Sequence, residues 1–261
     1  MSSADDLKRR AQARFAAAAA RYVSDRIHVE GDELSRMIEL AHLTGAERIL
    51  DVATGGGHTA LAFAPHVREV VALDLTPAML AAAARFVGER GVRNVAFRLG
   101  DAEALPFDDQ EFDLVTARYA PHHFPRPSRF LAEAARVLRP GGRLTMFDNM
   151  APEDEELDAF LNRLEVWRDP SHFRAHRSSE WLRWMEAAGF AIESADPLVR
   201  KRYDFDEWAS KQSMAPAERD ALERWLRAAP PRCREFFAVT VEDDRVAWLE
   251  ATFGAIACRR C

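Results

Sequence analysis

Short apolar runs rich in branched residues alternate with stretches of helical spacing along much of the chain. The first run, Ile49, Leu50 and Val52 within residues 48–52, has the character of a buried parallel strand. Three successive glycines, Gly55 to Gly57, stop it, and an alanine-rich helical stretch follows over 59–64. The same reading gives strands at 67–73, 94–99, 112–119 and 143–149. Helices at 77–89 and 128–138 lie between them, the first opened by Thr76 ahead of Pro77 and closed by Gly91. Residues 138–142, Leu-Arg-Pro-Gly-Gly, turn from the second helix into the fifth strand. Upstream, residues 5–29 contain no Gly or Pro and read as helix, and Asp32 opens another that runs to 43.

Beyond residue 150 the connections lengthen. An amphipathic helix over 153–167 leads into a loop, and Ser178 or Ser179 caps a helix that ends before Gly189. A sixth strand spans 190–203 with an interruption at Pro197, and helices at 206–213 and 216–228 fill the way to a last strand at 246–258. Connections this long usually carry lids or binding elements. Strand, turn and helix in alternation predict a doubly wound, mostly parallel α/β sheet, whose ligands sit beyond the carboxyl ends of the strands. No repeat or low-complexity segment divides the chain.

Composition narrows the partners. A net charge of -6 and a pI near 5.8 argue against non-specific nucleic-acid binding. Lysine is scarce (Lys8, Lys201, Lys211), so arginine carries nearly all the positive charge. The cysteines, Cys233, Cys258 and Cys261, are odd in number and late, which implies no disulfide framework. Cys258 and Cys261 have Cys-x-x-Cys spacing but read as incidental thiols on a frayed tail. No run approaches the ~18 apolar residues of a membrane helix, and the charged N-terminus is no secretory signal. A soluble, cytoplasmic protein acting on a small molecule is expected, with no nucleic-acid or membrane partner.

Candidate chemistry gathers at the strand ends. Glycines after the first strand serve a turn with positive φ and let backbone approach a ligand closely. Asp51 stands just ahead of that turn, where a carboxylate opposes a pyrophosphate and favours an ammonium. Asp74, about 20 positions beyond the glycines, is placed to accept hydrogen bonds from ribose hydroxyls.

Asp51-Val52-Ala53-Thr54-Gly55-Gly56-Gly57 resembles the first motif of class I S-adenosylmethionine-dependent methyltransferases, an acidic residue followed by Gly-x-Gly-x-Gly. Ala53 stands in place of the first glycine. Asp101 with Ala102 after the third strand, and the turn at 138–142, are similar to further blocks of that family. Together the blocks over 45–149 most resemble the ubiquinone/menaquinone-biosynthesis type. The resemblance implies a seven-stranded Rossmann-like domain over 1–261. Cap helices would occupy 1–44, the cofactor core 45–149, cap and substrate elements 150–245, and the last strand 246–258.

It also implies S-adenosyl-L-methionine held by Asp51, Gly55, Gly57, Asp74 and Asp101. Backbone of Ala53, Leu75, Ala102 and Arg118 would line it, and Leu105 and Pro106 would wall the adenine. The leading segment covers the cofactor in related enzymes, with Tyr22 its candidate here. The methyl group would pass by in-line displacement to a small, aromatic or lipophilic acceptor. His123 and His122, after the fourth strand, suit a general base or simply shape their loop, and His172 is a further candidate. Trp167, Phe173, Trp181, Trp184 and Trp208 are candidates for an aromatic lid, and equally for helix burial. No spacing suggests a metal.

Two other readings fit. Gly55-x-Gly57-x-x-Ala60 with Asp74 matches a relaxed dinucleotide fingerprint, as in an NAD-dependent oxidoreductase. A non-catalytic S-adenosylmethionine-binding scaffold or regulatory protein needs no more than the pocket.

Overall fold

The computed structural model describes residues 4–24, 32–210 and 214–261, without the side chains of 20–24. Helices α1 (Ala4–Ser24) and α2 (Asp32–Ala41) precede β1 (Arg48–Val52). The glycine turn leads to α3 (His58–Phe63), β2 (Glu69–Asp74), α4 (Pro77–Gly88), β3 (Val95–Leu99) and β4 (Phe112–Arg118). Then come α5 (Pro127–Val137), β5 (Leu138–Ala151), α6 (Glu155–Arg168), β6 (His176–Arg177), α7 (Ser178–Ala187) and β7 (Phe190–Asp204). The chain ends with α8 (Phe205–Ser210), α9 (Pro216–Arg227), α10 (Pro231–Phe236), β8 (Thr240–Glu242) and β9 (Arg245–Arg260). The 25–29 end of the helix expected over 5–29, the tail of the one expected over 206–213, and the Tyr22 side chain lie outside the described residues.

The main path of the sheet is β3-β2-β1-β4-β5-β9-β7, the seven expected strands, with β6 beside β5 and β8 beside β9 as short additions. The pairs from β3 to β5 are parallel, while β9 runs antiparallel to both β5 and β7. Strand order reverses at β1, which lies between β2 and β4, so a crevice opens at the carboxyl ends of these strands.

Successive side chains leave a strand on opposite faces, and the core divides accordingly. Leu50, Val52, Val71 and Leu73 pack with Phe130 and Leu131 of α5 and Trp181 and Met185 of α7. Ile49, Val70 and Ala72 pack on the other face with Met37 of α2 and Phe63 of α3. Each fully buried Leu or Phe contributes about 1.5–3 kcal/mol by leaving water. A third cluster joins α6, α8 and α9 to the far end of β9 through Leu161, Phe205, Leu222 and Leu249. It is the core of the helices expected to form a cap, held to the sheet by the long β7 and β9 strands.

Local chemistry explains the departures from the expected elements. Pairing of β7 with β9 slips between Asp196 and Val199, at the expected interruption, because Pro197 has no N–H to give. Residues 138–142, expected as a turn before a strand at 143–149, instead begin β5, where a Cβ on Gly142 would stand 2.9 Å from the Arg139 carbonyl oxygen. Neither serine caps α7: Arg177 is the N-cap residue and its N–H donates to Glu180 Oε2 at 2.9 Å. The Ser179 N–H and hydroxyl go instead to Glu153, at 2.9 and 2.6 Å. The C-terminal tail is not frayed. Cys258 is buried in β9 opposite Leu144 and Ile192, and Cys261 is exposed.

Candidate functional site

At the carboxyl ends of β1 and β2 the glycine turn is pinned by its own backbone. Thr54 N–H donates to the Leu73 carbonyl at 2.8 Å, and Gly57 N–H to the Thr54 carbonyl at 2.9 Å. Gly55 N–H donates to Asp74 Oδ2 at 2.9 Å, while Thr76 N–H donates to Asp74 Oδ1 at 2.8 Å. Ala53 adopts a φ of 55°, a left-handed conformation that costs a residue with a Cβ roughly 1–2 kcal/mol. Burial pushes the Asp74 carboxyl upward against these bonds.

A cavity opens above this turn. Its floor is Ala53 to Gly56; its sides are Asp74 to Thr76, Gly100 to Ala102, Arg118 to Ala120 and His123 to Pro125. Lys8, Ala11, Gln12 and Phe15 of α1 close the top. The helix is tied down at three points. Lys8 Nζ lies 2.6 Å from both Asp101 Oδ2 and Glu103 Oε2. Gln12 Nε2 donates to the Leu75 carbonyl at 2.9 Å, and Arg14 Nε stands 3.1 Å from Asp169 Oδ1.

Of the residues expected at the cofactor, Ala53, Gly55, Asp74, Leu75, Asp101, Ala102 and Arg118 meet around this cavity. Asp51 and Gly57 do not line it. Asp51 sits opposite Thr116 in the β1–β4 ladder, and neighbours in register share a face. Its oxygens accept from Thr116 Oγ1 at 2.8 Å and Thr54 Oγ1 at 2.6 Å, and burial pushes its pKa up to about 6. The carboxylate therefore braces the turn from inside, behind Thr54 of the cavity floor. Gly57 is a packing position: a Cβ there would stand 3.1 Å from Ala83 Cβ and 3.3 Å from Val87 Cγ2. Leu105 is buried in the sheet core and Pro106 packs near Gly100, so neither walls the cavity.

The two loop histidines separate. His123 lines the cavity, with Phe15 edge-on at 5.0 Å. Its Nδ1 lies 2.8 Å from the Ser171 carbonyl; a carbonyl only accepts, so Nδ1 carries the proton and Nε2 keeps a lone pair. Burial, reinforced by charge on His122, brings its pKa down to about 3. His122 lies outside the lining. Its N–H donates to Asp148 Oδ2 and its Nδ1 meets Asp148 Oδ1, both at 2.6 Å. Burial opposes its charge, but Asp148 outweighs that and raises the pKa. His172 stacks on the His122 ring at 4.9 Å and is also outside the lining. None of the expected lid aromatics reaches the cavity. Trp181 packs in the sheet core with Trp184 against it, and Trp208 sits in the cap core.

Residues 50–146 match the family described as "Methyltransferase domain". The chain is 38% identical over 231 residues to the uncharacterized methyltransferase YcgJ of Bacillus subtilis, covering 88% of this chain and 90% of that one. The chain belongs to the class I S-adenosylmethionine-dependent methyltransferases. The crystal structure of the Bacillus subtilis YcgJ protein superposes on this methyltransferase with a TM-score of 0.84 at 36% identity, over 87% of this chain and 97% of that one. A demethylmenaquinone methyltransferase of Thermus thermophilus is 42% identical over 119 residues, 45% of this chain and 54% of that one. The oxidoreductase alternative draws no support from these relatives.

The methyltransferase's cavity suits a nucleoside cofactor by its donor set. Gly55 and Gly56 offer backbone without side chains, and the Asp74 and Asp101 carboxylates offer acceptors. Sequence reasoning missed Lys8, Gln12 and Phe15 on the covering helix, and Glu33, which bonds Arg118. One signal was present: two of the three lysines, Lys8 and Lys201, hold buried carboxylates at this site. Among the described residues no metal-binding cluster occurs, and no helix is long and apolar enough to cross a membrane.

Proposed function

We propose that this methyltransferase alkylates a small aromatic or lipophilic acceptor, in the manner of the ubiquinone/menaquinone-biosynthesis type. The observation that carries the proposal is the joining of two regions in one cavity: the Ala53–Gly56 turn with Asp74 and Asp101, and a second wall of Phe15, His123, Phe124 and Pro125. When bound, S-adenosylmethionine supplies an electrophilic sulfonium methyl that the acceptor attacks in line. Gly55 backbone takes the amino-acid end, Asp74 the ribose hydroxyls and Asp101 the adenine amino group, with Ala102 and Leu75 against the nucleoside. Phe15 and Phe124 exclude water and fix the acceptor, so most of the acceleration comes from position and desolvation.

His123 orients the acceptor by accepting a hydrogen bond at Nε2. With a pKa near 3 it is a weak base, so strong general-base catalysis is not its part. His122, clamped to Asp148, holds the loop that presents it.

Calorimetric titration with S-adenosylhomocysteine and with NADH, followed by a screen of phenols, quinols and amines for methyl transfer, tests this reading. Homocysteine-nucleoside binding with turnover on phenols or quinols is expected. Binding of NADH alone would overturn it, and good S-adenosylhomocysteine binding without turnover would turn the reading to the scaffold.

A further inference from the structure

Helix α6 ends at Arg168 because Pro170 disfavours helical backbone at the residue before it. That residue, Asp169, is extended at φ -126° and ψ 98°, and its side chain is 5% exposed. Three donors meet at its Oδ1: the Ser171 N–H at 2.8 Å, the Ser171 hydroxyl at 2.5 Å and Arg14 Nε of α1 at 3.1 Å. The far end of the loop is fixed as well. The Phe173 and Arg174 N–H groups donate to the His122 carbonyl at 2.9 and 3.0 Å. Between these two anchors the Ser171 carbonyl accepts from His123 Nδ1 at 2.8 Å.

A neutral imidazole has one N–H and one lone pair, and the partner of one nitrogen decides the state of the other. With the Ser171 carbonyl in place the lone pair is on Nε2. Were that carbonyl to swing away, the bond selecting this tautomer would be lost, and Nε2 would carry the proton in part of the population. Such a ring donates where an acceptor hydroxyl needs its own proton received. Asp169 does not line the cavity, so its route to the acceptor runs through Ser171. On the other side, Arg14 precedes Phe15, whose ring lies edge-on to His123 at 5.0 Å. One carboxylate therefore holds both the loop behind the imidazole and the helix in front of it.

We infer that Asp169 is a positioning residue for methyl transfer. Through the Ser171 carbonyl it fixes His123 in the Nδ1–H form, and through Arg14 it seats the covering helix against the same ring. The inference rests on the proposed role of His123 in accepting a hydrogen bond from the acceptor.

Heteronuclear NMR of the histidine rings, with S-adenosylhomocysteine bound, reads the tautomer; the His123 signals are those missing from His123→Ala. An Nδ1–H ring is expected in the wild type, and a mixture with Nε2–H in Asp169→Ala. An unchanged ring in Asp169→Ala overturns the inference. So does an Nε2–H ring in the wild type, a comparison that needs no variant to fold. On a phenol or quinol that the wild type turns over, Asp169→Ala should lower kcat/KM about 5-fold at unchanged S-adenosylhomocysteine affinity. That loss should vanish in a His123→Ala background, because a residue acting through another then has nothing to act on. Asp169→Asn, which keeps an oxygen for Ser171 but no charge for Arg14, should lose less. A loss that persists without His123, or S-adenosylhomocysteine binding that weakens in step with it, marks a merely structural role and overturns the inference. If the wild type turns over no phenol or quinol, the proposed function is what fails, and the ring spectra decide the Asp169 contact by themselves.

Discussion

Asp51 shows how a single side chain was placed at the right strand and turned the wrong way by reasoning from sequence. The carboxylate is next to the glycine turn, but only the pairing of β1 with β4 reveals Thr116 directly opposite it. Its pKa, pushed up to about 6 from an ordinary 3.8 by burial, means the folded chain holds that proton more tightly than the unfolded one. The stability this site contributes is therefore present below pH 4 and is lost as pH rises through 6, by about 3 kcal/mol. Asp51→Asn removes that dependence. Denaturant unfolding of both proteins at pH 4 and pH 7 should show the variant gaining on the wild type by that amount. For His123 the sign reverses: its folded pKa lies below the ordinary 6.5, so stability is lost as pH falls from 6.5 toward 3. His123→Ala is expected to lower kcat/KM about 10-fold, the size of one hydrogen bond. S-adenosylhomocysteine affinity should hold, and a drop of 10²-fold or more would restore the general base.

At the scale of elements, the parallel strands were readable because Ile49, Leu50, Val70 and Val71 are fully enclosed and leave continuous apolar runs. The β8–β9 hairpin was not. Its turn has Asp243 and Asp244 at φ of 46° and 64°, the geometry that Asn-Gly normally announces. Helix α10 is six residues long and packs through Cys233 into the third cluster, so no local periodicity signals it. Gly57 was rightly singled out but for contact with a ligand, whereas what it permits is the approach of α3 to α4. Gly57→Ala meets Ala83 and Val87 at a φ of 84°. It should cost about 2–4 kcal/mol, overpacking and left-handed strain together, read as a fall in melting temperature.

Across the whole molecule, the cofactor half was legible because close backbone approach demands small residues and strand ends demand particular acids. That a leading helix covers the site came from the resemblance, but its contact residues were not legible, because Lys8, Gln12 and Phe15 reach the cavity only once α1 lies across Asp101 and Leu75. The cap core is distinct from both sheet cores, and its energetics should be separable from cofactor binding. Leu222→Ala, wholly inside the cap cluster, is expected to cost about 2–5 kcal/mol on unfolding. Saturating S-adenosylhomocysteine should still raise the melting temperature by the same increment as in the wild type; loss of that increment would mean the two regions act as one.

The slip at Pro197 has a further effect on how copies of the chain meet. Strand β7 ends the sheet, and its flank carries the exposed Leu198 between residues that favour extension. A straight, evenly bonded border there would invite a neighbour's strand to add on, the first step of fibre growth. The missing N–H and the bent course leave such a strand nothing regular to zip against, and the exposed Arg200 and Arg202 beyond it repel a second copy of themselves. A kink that contributes little to this sheet thereby keeps the border closed to others.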